Sequence, residues 1–174
     1  MSMSKSLTIF FCLALVVSCK KLTDEDLWNN GVEAQKANKF DESLQNYQLL
    51  LDDYPKSPKV PEALFAIGSI CQDQRRDIYR AIRCYRRIVQ EFPTNATASG
   101  AQFLIGFLYN NELKNLDSAK IAYEDFLRMY PDNPMAPSAR FELENLGKDP
   151  NLIMDLKSRP IVKTPEQNPK NLHK

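Results

Sequence analysis

Between Thr23 and Gly147 the apolar residues recur at spacings of three and four, with polar residues between them. Leu64, Ile67, Gly68 and Cys71 form one such run, and Ile82, Tyr85 and Val89 form another. Apolar positions at that spacing lie on one face of an α-helix. Each second run closes at an aromatic-proline pair: Tyr54-Pro55, Phe92-Pro93 and Tyr130-Pro131. Proline cannot extend the helical hydrogen-bond ladder and restricts the residue before it, so a helix ends at each pair. The three prolines are 38 residues apart, and other residues keep the same register. Ala63, Ala101 and Ala139 align, as do Phe65, Phe103 and Phe141, then Ser43, Ala81 and Ala119, then Tyr47, Tyr85 and Tyr123. The pattern predicts an all-α chain of repeated helical hairpins that stack on one another. Gly68 with Ala81, and Gly106 with Ala119, predict close approach of the two helices in a unit. Tyr47, Tyr85 and Tyr123 are expected to fill the space between neighbouring units.

In the third unit, Ile105-Gly106, Tyr109, Ala119, Tyr123 and Pro131 resemble the tetratricopeptide repeat pattern. Ile67-Gly68, Ala81, Tyr85 and Pro93 match it in the second unit, and Gly31, Ser43, Tyr47 and Pro55 in the first. The resemblance implies a tetratricopeptide solenoid, a right-handed superhelix of about three hairpins plus a C-terminal capping helix, that binds proteins. The period exceeds the usual one by a residue between the helices of units two and three and by three residues after each proline. In such an array the first helices line a concave groove. Projection of the pattern places Trp28, Val32, Gln35, Phe65, Ser69, Gln72, Phe103, Phe107 and Asn110 there. Aromatic faces supply contact area and amides can bond a partner's backbone. Phe65 and Phe103 fit either the groove or the core between repeats.

The first nineteen residues read as an address. Lys5 precedes an uncharged run from Leu7 to Val17, too short to span a bilayer as a helix, and Val16-Val17-Ser18-Cys19 follows. This resembles the lipobox of bacterial lipoproteins, which implies cleavage before Cys19 and acylation of its thiol; an ordinary signal peptide is the other reading. Lys20 and Lys21, with no aspartate beside the cysteine, resemble the outer-membrane sorting class. The expected organisation is a leader at 1–18, a lipidated linker at 19–23, a repeat domain at 24–147 and a proline-rich tail at 148–174. Within the domain, units span about 24–58, 59–96 and 97–134, with a capping helix at 136–147. The tail carries Pro150, Pro160, Pro165 and Pro169, a composition expected to stay disordered. Its apolar stretch from Asn151 to Leu156 either caps the open end of the array or docks a partner.

The lipobox with these repeats also resembles the BamD-type lipoproteins of outer-membrane barrel assembly. Asp53-Tyr54-Pro55-Lys56-Ser57-Pro58-Lys59, with Ala63, Phe65, Gly68 and Gln72-Asp73, is similar to the CpoB-type proteins that work with the Tol-Pal system. Both resemblances imply a protein or peptide partner in the envelope, and membrane attachment through the N-terminal lipid.

Composition narrows the chemistry. The 174 residues carry 23 basic and 22 acidic side chains, so a nucleic-acid partner is not expected. The single histidine, His173, and the absence of a nucleophile–base pair disfavour an enzyme; a hydrolase would need an unrecognised pair of acids. No cofactor, metal or small-molecule substrate is suggested. Arg76, Arg80, Arg83 and Arg87 would fall along one helical face, either meeting an anionic partner or balanced by Asp52, Asp53, Glu124 and Asp125. Cys71 and Cys84 sit on the two helices of one unit, as buried thiols or as a disulfide.

Overall fold

The computed structural model describes residues 21–148; the expected leader with Cys19 and the expected tail beyond Lys148 lie outside the described residues. Seven α-helices and no strand occur among the described residues: α1 (Asp24–Lys36), α2 (Phe40–Asp53), α3 (Val60–Ile70), α4 (Ile78–Glu91), α5 (Ala98–Asn111), α6 (Leu116–Met129) and α7 (Ala136–Glu144). Each helix packs on the next in chain order, giving three hairpins and a half. The architecture is an all-α solenoid of the tetratricopeptide type.

Local chemistry sets the ends. The Thr23 hydroxyl accepts the Asp26 N–H at 3.1 Å and the Asp26 carboxylate accepts the Thr23 N–H at 3.0 Å, a reciprocal cap on α1. Within each hairpin the turn passes through one left-handed residue: Asn38 (φ 58°), Arg76 (φ 54°) and Lys114 (φ 51°). In unit one the turn closes from Lys39 N–H to the Ala34 carbonyl. In units two and three it closes from Asp77 to Cys71 and from Asn115 to Tyr109, one residue wider. That is where the extra residue goes. In unit two it also forms a single π turn, Cys71–Arg75.

The residues added after each proline form a recurring turn. Ser57 Oγ, Asn95 Oδ1 and Asn133 Oδ1 accept the N–H groups of Lys59, Thr97 and Met135 at 3.2, 2.8 and 2.9 Å. These side chains hold the chain as it enters the next helix. Helix α7 stops at Glu144, short of the expected end at 147, and Gly147 turns the chain in the left-handed region (φ 72°).

One contact recurs in every hairpin. A Cβ at Gly31, Gly68 or Gly106 would lie 2.5, 2.6 or 2.7 Å from the ring of Tyr47, Tyr85 or Tyr123. Real Cβ atoms do not approach so closely, so only glycine lets each ring lie on the backbone of the facing helix. The tyrosines therefore pack inside their own hairpins rather than serving mainly as fillers between units. A second ring abuts each one: Trp28 at 5.4 Å from Tyr47, Phe65 at 5.3 Å from Tyr85 and Phe103 at 5.6 Å from Tyr123, centroid to centroid.

The hydroxyls differ. Those of Tyr47 and Tyr85 donate to the Gln35 and Gln72 side-chain oxygens at 3.2 and 3.4 Å. Tyr123 Oη is buried and has no hydrogen-bond partner. The residue in register with Gln35 and Gln72 is Asn110, one methylene shorter. Tyr47→Phe is expected to lower stability by about 1 kcal/mol through the lost bond, whereas Tyr123→Phe is neutral or stabilising by about 1 kcal/mol. Urea unfolding monitored by circular dichroism measures both.

Candidate partner-binding surface

The first helices of units one and two share a depression of about 320 Å³. It is lined by Trp28, Val32 and Gln35 from α1, Phe65 and Ser69 from α3, and also by Tyr47, Glu62, Ala66 and Thr97. Five of the nine sequence-derived groove residues thus meet in one place. Leu27 and Leu64, one position before the groove aromatics, are buried and bind α1 and α3 to the core, leaving Trp28 and Phe65 half-exposed. Gln35 uses its amide oxygen for Tyr47, so its amide N–H groups are the donors left for a ligand.

The other four residues separate. Phe107 and Asn110 line a second depression of about 580 Å³ at the far end of the array, with Leu116, Glu142 and Asn145. Gln72 is held by the Tyr85 hydroxyl and lies outside both depressions. Phe103 packs into the third unit's core, 6.0 Å from Phe126 as well as against Tyr123.

Sequence reasoning missed Glu62 and Thr97. Glu62 Oε1 accepts from Asn95 Nδ2 at 3.3 Å, while Oε2 is buried without a partner. The signal for Thr97 was available: it keeps the 38-residue register with Lys59, across a change of residue type. At the groove's edge Lys59 Nζ lies 5.6 Å from the Trp28 ring centroid and 3.7 Å from a Glu25 oxygen.

The arginine line is broken. Arg76 is not on α4: it ends the π turn in the left-handed conformation, and Asp77 caps α4 by accepting the Arg80 N–H at 3.0 Å. Arg76 pairs with Glu112 at 3.5 Å, Arg75 with Asp41, and Arg87 with both oxygens of Glu91 at 2.8 and 3.0 Å. Arg86 donates to the Tyr109 hydroxyl at 3.0 Å. The acids expected to balance them are engaged elsewhere: Asp52 accepts from the Gln48 amide at 3.0 Å, and Asp53 pairs with Lys21, Glu124 with Lys120 and Asp125 with Arg128. Arg80 and Arg83 make no ion pair among the described residues.

Cys71 is a buried free thiol and Cys84 a half-buried one. Burial pushes both up, Cys84 to about 11, with the neighbouring Cys71 adding to its shift and Arg80, Arg83 and Arg87 opposing it. Thiols held in this state are poor nucleophiles at neutral pH. Among the described residues no helix is long and apolar enough to cross a membrane, and no group of three or more His, Cys, Asp or Glu side chains could hold a metal ion.

A solenoid that presents aromatic and amide side chains in an open depression suits a protein-interaction scaffold. Residues 62–95 and 101–133, the second and third units, match the tetratricopeptide repeat family. No curated protein matches the chain.

At the far depression, burial raises Glu142 above the ordinary glutamate range. Its protonated form is the one the fold prefers, so its favourable contribution is complete at low pH and is lost as pH rises through the raised value. Glu142→Gln is expected to stabilise the chain at neutral pH, with the gain vanishing near about pH 4. Unfolding midpoints across that range report it.

Proposed function

We propose that this chain is a lipid-anchored tetratricopeptide scaffold of a bacterial envelope, facing the periplasm, that holds an extended protein segment in the groove between α1 and α3. The groove carries the reading: Trp28 and Phe65 offer flat apolar faces, and Gln35 and Ser69 offer polar groups beside them, within one open depression. An extended chain needs both, side-chain area for affinity and donors for its carbonyls. The Val16-Val17-Ser18-Cys19 lipobox supports the anchor, since the acylated cysteine would tie the scaffold to the membrane surface. Lipobox and repeats together favour a part in outer-membrane barrel assembly. The Asp53–Lys59 segment favours the second reading, an adaptor of the Tol-Pal division and envelope-maintenance system.

Gly100 supplies a clean probe of the groove. A Cβ there would meet only the Phe65 ring edge, at 3.8 Å. Gly100→Leu therefore adds bulk over the groove while improving helix propensity by roughly 0.5–1 kcal/mol. In detergent extracts the full chain is expected to retain barrel-assembly components, and Gly100→Leu to lose them while melting no lower than the parent. Recovery of Tol-Pal components instead selects the second reading, and unchanged capture by Gly100→Leu removes the groove. Cys19→Ser is expected to move the protein to the soluble fraction; continued membrane association overturns the anchor.

A further inference from the structure

The repeat places the same chemistry twice along the first helices, once at the groove's edge and once in its wall, and completes it only at the edge. In unit one, Glu25 and Trp28 are three residues apart on α1, and Lys59, from the turn that follows, brings its ammonium to both: 3.7 Å from the Glu25 carboxylate and 5.6 Å from the Trp28 ring centroid. A cation between a carboxylate and an aromatic face is held by charge and by the ring's quadrupole. In unit two, Glu62 and Phe65 occupy the corresponding positions on α3. The residue in register with Lys59 is Thr97, which brings no charge. Glu62 is left with Oε1 tied to Asn95 and with Oε2 buried and unpartnered, in the wall of the same depression as Phe65 and Thr97. A buried acceptor without a donor is costly. In unit three the position of Glu62 falls to Gly100, so the carboxylate is absent there and the space over Phe65 stays open.

We infer that the groove recognises a basic side chain, an arginine or lysine of the bound segment, which takes in unit two the place that Lys59 holds in unit one. The inference rests on the groove reading above and names the chemistry of its occupant. The cation lies against Phe65 and donates to Glu62, whose half-exposed side chain turns Oε2 toward the cavity it already lines. Apolar residues beside the cation cover Val32 and Ala66, and the Gln35 amide N–H groups meet a backbone carbonyl. Guanidinium suits the site best, because it can lie flat on the ring while its edge donates to the carboxylate. A segment with an acidic residue at this position is rejected, since it would set two carboxylates together without a counter-charge.

The probe is a phage-displayed library of random dodecapeptides, selected in parallel on the full chain and on Glu62→Gln, Thr97→Lys and Gly100→Leu, each checked for folding by thermal melting. Thr97→Lys retains Glu62 and supplies the cation from within the chain, so it separates lost recognition from a damaged fold. Peptides selected on the parent are expected to carry Arg or Lys at one position at least about threefold above its library frequency, beside apolar residues. On Glu62→Gln and on Thr97→Lys the basic residue is expected to fall to library frequency. Basic enrichment that persists in either variant overturns the proposal. Peptides enriched on the parent and lost on Gly100→Leu, but without a basic position, also overturn it while the groove reading stands. No enrichment on the parent over Gly100→Leu ends both.

Discussion

The structure depends on a tyrosine ring laid on bare backbone. In each hairpin the second helix sends Tyr47, Tyr85 or Tyr123 onto a glycine of the first, at a distance no Cβ would permit. That approach fixes how far apart the two helices sit and how they are rotated about their axes. It also decides which side chains of the first helix are left outside. With Leu27, Leu64 and Ile105 buried, Trp28 and Phe65 are braced by the tyrosine rings and stay half-exposed. The groove is thus a by-product of the packing that makes the hairpin, and its aromatic faces are pre-positioned before any partner arrives. Preorganised side chains lose little entropy on binding, which raises the yield of each contact.

Repetition gives the molecule its economy, and departures from repetition give it individuality. The tyrosine hydroxyl is satisfied by glutamine in two units and left unsatisfied in the third, where asparagine is too short. The acid at the start of the first helix is present in two units and replaced by Gly100 in the third. The cation that answers it is Lys59 in unit one and is missing in unit two. These differences fall on the groove side of the array, where a partner would sense them, while the buried tyrosine-glycine pairs do not vary.

The hairpins were legible because close packing restricts residue types, and a restriction repeated at a fixed period shows in the chain itself. Tyrosine, glycine and proline each answer one steric demand, so tyrosine and proline keep a 38-residue spacing and the paired glycines recur at 37 and 38. The turn residues Ser57, Asn95 and Asn133 were less visible, because either a hydroxyl or an amide oxygen can accept the same N–H group. Arg76 left the expected arginine face for a different reason, while Arg80, Arg83 and Arg87 stay on α4. Projecting Arg76 onto a helix with Arg80 assumes unbroken winding, whereas the extra residue of unit two is taken up there by a π turn and a left-handed Arg76. The groove was legible residue by residue but not as a whole: register gave nine positions, and packing drew Phe103 into the core and moved Phe107 and Asn110 to a separate depression. Glu62 carried no sign in the chain, since a carboxylate on a helix is ordinarily solvated, and only the burial of its Oε2 makes it informative.

Glycine is required on the first helix because a tyrosine ring occupies the space of its side chain. A double-mutant cycle on Gly68 and Tyr85 reads this directly. Gly68→Ala is expected to cost about 1–3 kcal/mol in the parent chain, through overpacking against the ring. In a Tyr85→Leu background, where the outer ring atoms are gone, the same change is expected to cost nothing or to stabilise by up to about 1 kcal/mol, as alanine does in an ordinary helix. Equal effects of Gly68→Ala in the two backgrounds would contradict the account.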